Sequence, residues 1–267
     1  MPFSEVPLWD AGRLLRRELD VQFRAEEVSF VERGELFTMI KARLMYAMLI
    51  AAVWLGGAHA QSLKYPPIEE YLMPQANEIA LAKSAAPANI SQRATIKVLT
   101  KSGYEVAQKG DNGFVCAVMR GFMAPTYTPA QFRNLIYDPA LRAPMCFALQ
   151  AAREVLPFYE LRTKLAMRGK NPDEIAEGLQ AAYVKGELPQ RTGVSFAYMW
   201  SADQNLGSGI GHWHPHIMVF APYYDSSMLG GNAFGSPLPT VSDDAGTPFA
   251  VVVIPVDDNL AVKAELK

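Results

Sequence analysis

Residues 94–118, which read ATIKVLTKSGYEVAQKGDNGFVCAV, indicate the fold class. Three short runs rich in β-branched and aromatic residues, 94–99, 104–107 and 114–118, are separated by turn residues. Gly103 supplies the first turn, and Asp111-Asn112-Gly113 supplies the second with an Asn-Gly pair typical of tight hairpins. The pattern predicts a three-stranded antiparallel meander with Cys116 on its third strand.

The stretch that follows predicts helices. Residues 146–156 are rich in Ala, Leu, Gln, Arg and Glu, and the same composition resumes after Pro157 until Gly169. Asn171-Pro172-Asp173-Glu174 indicates a helix start, with Asn as the cap, Pro in the first turn and acids at the positive end of the helix dipole. We expect that helix to end near Gly186.

Strand patterns return after Pro189, at residues 194–200, 216–221 and 249–256. The last of them contains an apolar run without alternation, residues 250–254, which predicts burial on both faces. Strands, then helices, then strands predict an α+β fold. The expected architecture is a mostly antiparallel sheet with a central helical segment.

Residues 39–60 have the three parts of a cleavable secretory signal. Lys41 and Arg43 give a basic start, residues 44–55 form an uncharged apolar run, and Ala58-His59-Ala60 is a small-x-small cleavage site. The run is shorter than the roughly 20 apolar residues that a bilayer-spanning helix needs. The segment therefore predicts cleavage after Ala60 and export to the periplasm or the extracellular medium, without a permanent membrane anchor.

The signal divides the chain into four segments. Residues 1–38 are rich in acids, unlike the positive leader of an export signal, so we interpret them as a misassigned start or a tail upstream of Met39. Residues 61–93 contain several prolines and predict an extended lead-in with one short helix near 77–85. Residues 94–267 are expected to form a single α+β domain.

The charge composition bears on the partners of the protein. The chain has 25 Lys and Arg against 27 Asp and Glu, a net charge of −2, and it has no basic runs. Because nucleic-acid binding depends on neutralising phosphates with clustered basic residues, this composition argues against a nucleic-acid partner. An unknown small molecule or protein is the expected partner.

The two cysteines, Cys116 and Cys146, both follow the predicted cleavage site. Export carries them to a compartment where disulfides persist, and the sequence therefore predicts a disulfide that ties the third strand of the meander to the start of the helical segment. The alternative is a pair of free buried thiols that pack as small apolar groups.

A histidine cluster offers the sharpest chemical hypothesis. His212-Trp213-His214-Pro215-His216 places three imidazoles at alternate positions, on one side of an extended chain. Imidazole suits zinc and copper, a fourth ligand could come from Asp203 or Asp225, and an open position on the metal would activate water for hydrolysis. The alternative is that His216 is an ordinary strand residue while His212 and His214 line a loop.

Aromatic residues concentrate around the same region. Trp200, Trp213 and Tyr223 could form the floor of a pocket for an apolar or ring-bearing ligand, although such residues also build ordinary cores. They are candidate pocket residues on this sequence.

Two segments carry a resemblance to known proteins. Residues 111–116, DNGFVC, together with residues 215–223, PHIMVFAPY, resemble a family of exported bacterial proteins with no assigned activity. The resemblance implies a periplasmic or secreted setting and transfers no catalytic role.

The sequence leaves two functions open and does not say whether the protein is an enzyme. The first is an exported, non-catalytic protein that binds a ligand or a partner. The alternative is a zinc or copper protein that uses His212, His214 and His216 and that could be hydrolytic.

Overall fold

The computed structural model describes residues 65–120, 137–207, 211–233, 236–241 and 244–267. The expected tail at 1–38, the expected signal at 39–60 and its cleavage site lie outside the described residues. Within the described ranges, no helix has the length and apolar character needed to cross a membrane.

The central feature is a mixed sheet with eight strands among the described residues, in the order β2-β1-β3-β4-β5-β6-β8-β7. Neighbouring strands pair antiparallel except β1 and β3, which are parallel. With the helices, this sheet confirms the predicted α+β class. The strands are β1 Thr95–Thr100, β2 Gly103–Gln108, β3 Val115–Met119, β4 Ala143–Phe147, β5 Ser195–Met199, β6 His216–Phe220, β7 Thr240–Val241 and β8 Val251–Pro255.

The helices lie on both faces of the sheet. Those described are α1 Ile68–Tyr71, α2 Gln75–Lys83, α3 Ala88–Ser91, α4 Leu149–Glu154, α5 Leu156–Met167 and α6 Pro172–Val184. Helices α4 to α6 share one apolar core with the sheet, and α2 packs on β1, β3 and β4 in a second core on the opposite face. Segment 65–93, expected to be mostly extended, is therefore largely helical where it is described, because its apolar side chains cover the sheet.

Helix α6 begins as its sequence predicts. Asn171 Oδ1 accepts a hydrogen bond from the Glu174 backbone N–H at 2.9 Å, and a Glu174 side-chain oxygen accepts one from the Asn171 backbone N–H at 2.9 Å. This reciprocal pair is a capping box, which satisfies two of the N–H groups at the helix start. Gly186, at φ 72°, follows the end of the helix in the left-handed region.

The predicted antiparallel meander is wrong, because β3 pairs in parallel with β1. After β2, the chain folds back across the start of β1, where the Asp111 N–H donates to the Arg93 carbonyl and the Thr95 N–H donates to the Phe114 carbonyl. Gly110 permits this crossing, since a Cβ there would meet the backbone of Arg93 and Ala94. The turn therefore redirects β3 to the far side of β1.

The predicted pairing of Cys116 with Cys146 is confirmed at the level of geometry. The two residues face each other in register on β3 and β4, at disulfide-bonding distance, and both are fully buried. The expected position of Cys146 at a helix start is wrong. All five residues of β4 are buried between two neighbouring strands, and the helix begins only at Leu149.

The expectation that residues 250–254 are buried on both faces holds for only part of the run. Ala250 to Val253 are buried, whereas Ile254 is half-buried. The strand lies next to the edge of the sheet, where β7 contributes only two residues of cover.

Candidate functional site around the histidine cluster

The three histidines of the cluster lie at the start of β6 and in the segment just before it. His216 is the first residue of this strand and pairs with Met199 of β5 and Pro255 of β8. Residues 211–215 are not part of any strand, so the alternation of side chains that the sequence suggested does not extend to them. The ring of Trp213 instead lies 4.5 Å from the ring of His216, centroid to centroid.

His216 is a buried residue, only 3% exposed. Burial disfavours the charged imidazole and lowers the pKa of His216 to about 4, although the hydrogen bond that its ring makes to the His214 backbone opposes this effect. The ring is therefore neutral at physiological pH. Its Nδ1–H donates to the His214 carbonyl at 2.8 Å.

A second buried side chain holds the same carbonyl. Gln204, on the loop after β5, is 2% exposed, and its Nε2 donates to the carbonyls of Trp213 at 2.7 Å and His214 at 3.2 Å. No sequence pattern singled out Gln204, because a lone glutamine in a loop has no characteristic spacing. Together with His216 it fixes the backbone that carries His214.

His214, like His212, is exposed, and a hydrogen bond holds its ring. Its Nδ1 lies 2.8 Å from Asp258 Oδ1, and the two side chains are 57% and 67% exposed. With the Nδ1–H donated to Asp258, a neutral His214 presents Nε2 as a free acceptor. Asp258 was another residue that the sequence did not indicate, because it lies far along the chain, after β8.

A surface cleft of about 490 Å³ opens beside this pair. Pro237, Pro255 and Val256 give it apolar walls. The polar residues that line it are His214, Ser236, Asp257 and Asp258. Its volume is within the range of about 300–1,000 Å³ that small-molecule sites usually have.

The other predicted ligands are engaged elsewhere. Asp203 accepts a hydrogen bond from the Ala264 backbone N–H at 2.6 Å, and Asp225 accepts one from the Ser227 N–H at 2.8 Å. The Nδ1 of His212, which is exposed, lies 3.4 Å from the Gln204 carbonyl. Among the residues that the structure describes, no group of three or more His, Cys, Asp or Glu side chains could hold a metal ion.

The three candidate pocket aromatics lie in different surroundings. Trp200 contacts Tyr198 edge-to-face at 5.3 Å, and its backbone N–H donates to the Ala85 carbonyl on the α2 side of the sheet. Trp213 packs against the core under α4 to α6. Tyr223 is 63% exposed in the turn after β6, with a φ of 67°.

Comparison of the chain with known protein families, with curated proteins and with solved structures finds no match. The resemblance of residues 111–116 and 215–223 to exported bacterial proteins therefore stays a prediction. Inferences about function depend on the geometry of the chain itself.

Proposed function

We propose that the chain is an exported, non-catalytic binding protein, and that its ligand lies in the cleft beside His214. The proposal rests on one observation: the exposed His214 is held both at its ring and at its backbone carbonyl. Asp258 holds its ring, while Gln204 and His216 hold its carbonyl. An exposed side chain contributes little to folding, so this support favours a role in recognition.

The lining of the cleft indicates the class of ligand. Asp257 and Asp258 supply negative charge, and Nε2 of a neutral His214 accepts a hydrogen bond. The walls formed by Pro237, Pro255 and Val256 suit an apolar body. The chemistry favours a small organic amine with an apolar group.

We expect benzylamine, used as a probe, to bind this cleft saturably at neutral pH. NMR titration should shift the backbone amides of Val256, Asp257 and Asp258 together with the His214 ring. Asp257→Asn should weaken binding by up to about fivefold, because a partly exposed charge pair is worth up to about 1 kcal/mol. Glu187→Gln, which removes an exposed acid in the turn after α6, should leave binding unchanged. Shifts spread over the whole chain, or equal affinity in the Asp257→Asn protein, would contradict the proposal.

The metalloprotein hypothesis is the second candidate, and one contact favours it. A carboxylate bound to one ring nitrogen is the usual arrangement behind a zinc-ligating histidine, and Asp258 has this relation to His214. In that case zinc or copper would bind Nε2 of His214. Elemental analysis of the protein purified without a histidine tag distinguishes the amine-binding protein from the metalloprotein. A stoichiometric zinc or copper ion that is lost in His214→Ala would refute the amine proposal and support the metalloprotein.

Export is the remaining part of the proposal. A cross-strand cysteine pair at bonding distance supports an oxidising compartment. We expect the exported protein to begin at Gln61, because Ala58 and Ala60 fill the small-residue positions of the cleavage site. Intact mass measurement of the exported protein tests this, and finding residues 1–38 still attached would refute both the cleavage and the reassigned start.

A further inference from the structure

Three polar side chains that line the cleft beside His214 each retain a hydrogen-bond acceptor. The Nδ1–H of a neutral His214 is donated to Asp258 Oδ1 at 2.8 Å, which leaves Nε2 of the same ring as an acceptor. Asp258 Oδ2 has no hydrogen-bond partner among the described residues. In Asp257, Oδ1 accepts the Asn259 backbone N–H at 2.9 Å, and Oδ2 likewise has no partner within the described ranges. The cleft can therefore accept hydrogen bonds as well as attract positive charge.

The acceptor on His214 differs from the two carboxylates in what it can distinguish. A carboxylate charge attracts any cation, whether or not the cation has an N–H group. A neutral imidazole nitrogen attracts chiefly a hydrogen-bond donor. The ring of His214 is held by Asp258, and its backbone carbonyl accepts from Gln204 Nε2 at 3.2 Å and from His216 Nδ1 at 2.8 Å. An acceptor that is fixed before binding loses little side-chain entropy when a donor reaches it.

The walls of the cleft lack the side chains that recognise a cation without N–H groups. Quaternary ammonium ions are bound by the faces of Trp, Tyr and Phe rings. None of the described residues that line the cleft is Trp, Tyr or Phe. Trp213 is next to His214 in the chain, but it packs against the core under α4 to α6, and its ring lies 4.5 Å from the ring of His216. A quaternary ion would therefore gain only charge attraction and contact with the apolar walls.

We propose that His214 selects the ligand of this cleft, and that the ligand is a protonated amine with N–H groups rather than a quaternary ammonium ion. The inference rests on the proposed function, because it names the class of amine that the same cleft would take. A hydrogen bond from a charged donor is roughly twice as strong as one between neutral groups. Full methylation of the nitrogen keeps the charge but removes every N–H, so Nε2 of His214 would be covered without a partner, which costs free energy.

The test compares benzylamine with N,N,N-trimethylbenzylammonium, two probes with the same ring and the same charge. NMR titration is done at pH 8, where an imidazole is ordinarily neutral. The parent should bind benzylamine about tenfold or more tightly than the quaternary ion, because the quaternary ion cannot make the charge-assisted hydrogen bond. In His214→Phe, which keeps a flat ring but has no acceptor, benzylamine binding should weaken and the ratio should fall to about threefold or less.

Glu187→Gln, which changes an exposed acid in the turn after α6, is the control and should keep the ratio of the parent. Because the His214 side chain is exposed, His214→Phe should fold, and circular dichroism checks this. Equal affinity of the two probes for the parent would overturn the inference and leave a cleft that selects amines by charge. A ratio that persists in His214→Phe would also overturn it, since the bulk of the methyl groups would then explain the selection. Binding of neither probe would refute the proposed function and this inference together.

Discussion

Glu78→Gln is expected to lower the free energy of unfolding by about 3–5 kcal/mol, the usual cost of leaving one partner of a buried ion pair unpaired. Glu78 Oε1 lies 2.8 Å from Arg120 Nη2, and the side chains are 1% and 0% exposed. Arg120 also donates to the carbonyls of Tyr71 and Val118, so the pair links α1, α2 and β3. The replacement would leave the guanidinium charge without its counter-ion in a site that water cannot reach.

The same pair allows a sharper experiment than the single substitution. Burial raises the pKa of Glu78 more strongly than Arg120 lowers it, which indicates that desolvation outweighs the attraction between the charges. We therefore expect Glu78→Leu combined with Arg120→Met to be much less destabilising than Glu78→Leu alone. Urea denaturation of the single and double variants measures this coupling. Glu69→Gln, which breaks the exposed Glu69–Lys101 pair, is the matched control and should have little effect. A small effect of Glu78→Gln would show that the buried Arg120 guanidinium does not depend on Glu78 as its counter-ion.

Local signals in the sequence predicted local structure well. The start of α6 was predictable because the capping box uses residues three apart, and the strands β5, β6 and β8 were predictable from short apolar runs. The parallel pairing of β3 with β1 was not predictable. A loop with an Asn-Gly pair is compatible both with a hairpin and with a loop that crosses the start of β1. Which edge a strand joins depends on contacts distant in sequence.

The candidate site shows the same contrast between features that local sequence predicts and features that depend on distant residues. The sequence drew attention to His212, His214 and His216 by their spacing, yet the structure gives His214 and His216 different roles and brings Asp258 to His214 from a distant segment. Glu78, Arg120 and Gln204 were missed for a related reason. A buried polar residue is recognisable only from its partners, and these partners lie on other elements.

Acid is expected to destabilise the fold through His216, the second large effect. The pKa of His216 is about 4 in the folded protein and about 6.5 in an unfolded chain. Between these two pKa values, His216 is protonated in the unfolded state but not in the folded state. The free energy of unfolding therefore falls as the pH falls through this window. The expected loss from this residue is about 2 kcal/mol between pH 7.5 and pH 5, and it would approach 3 kcal/mol near pH 4. Above about pH 7.5 the residue contributes almost no pH dependence.

His216→Phe separates this effect from those of other titrating groups. Phenylalanine keeps a neutral ring beside Trp213, and Gln204 still donates to the His214 carbonyl, so the variant should fold while losing most of the pH dependence between 7.5 and 5. Limiting the denaturation series to that range avoids most of the carboxylates, which titrate near pH 4. Glu78, whose pKa is raised by burial, is present in both the parent and His216→Phe, so its contribution is common to the two curves. His212→Gln, at an exposed position, should retain the slope of the parent. Parallel curves for the parent and His216→Phe would show that His216 is not the titrating group.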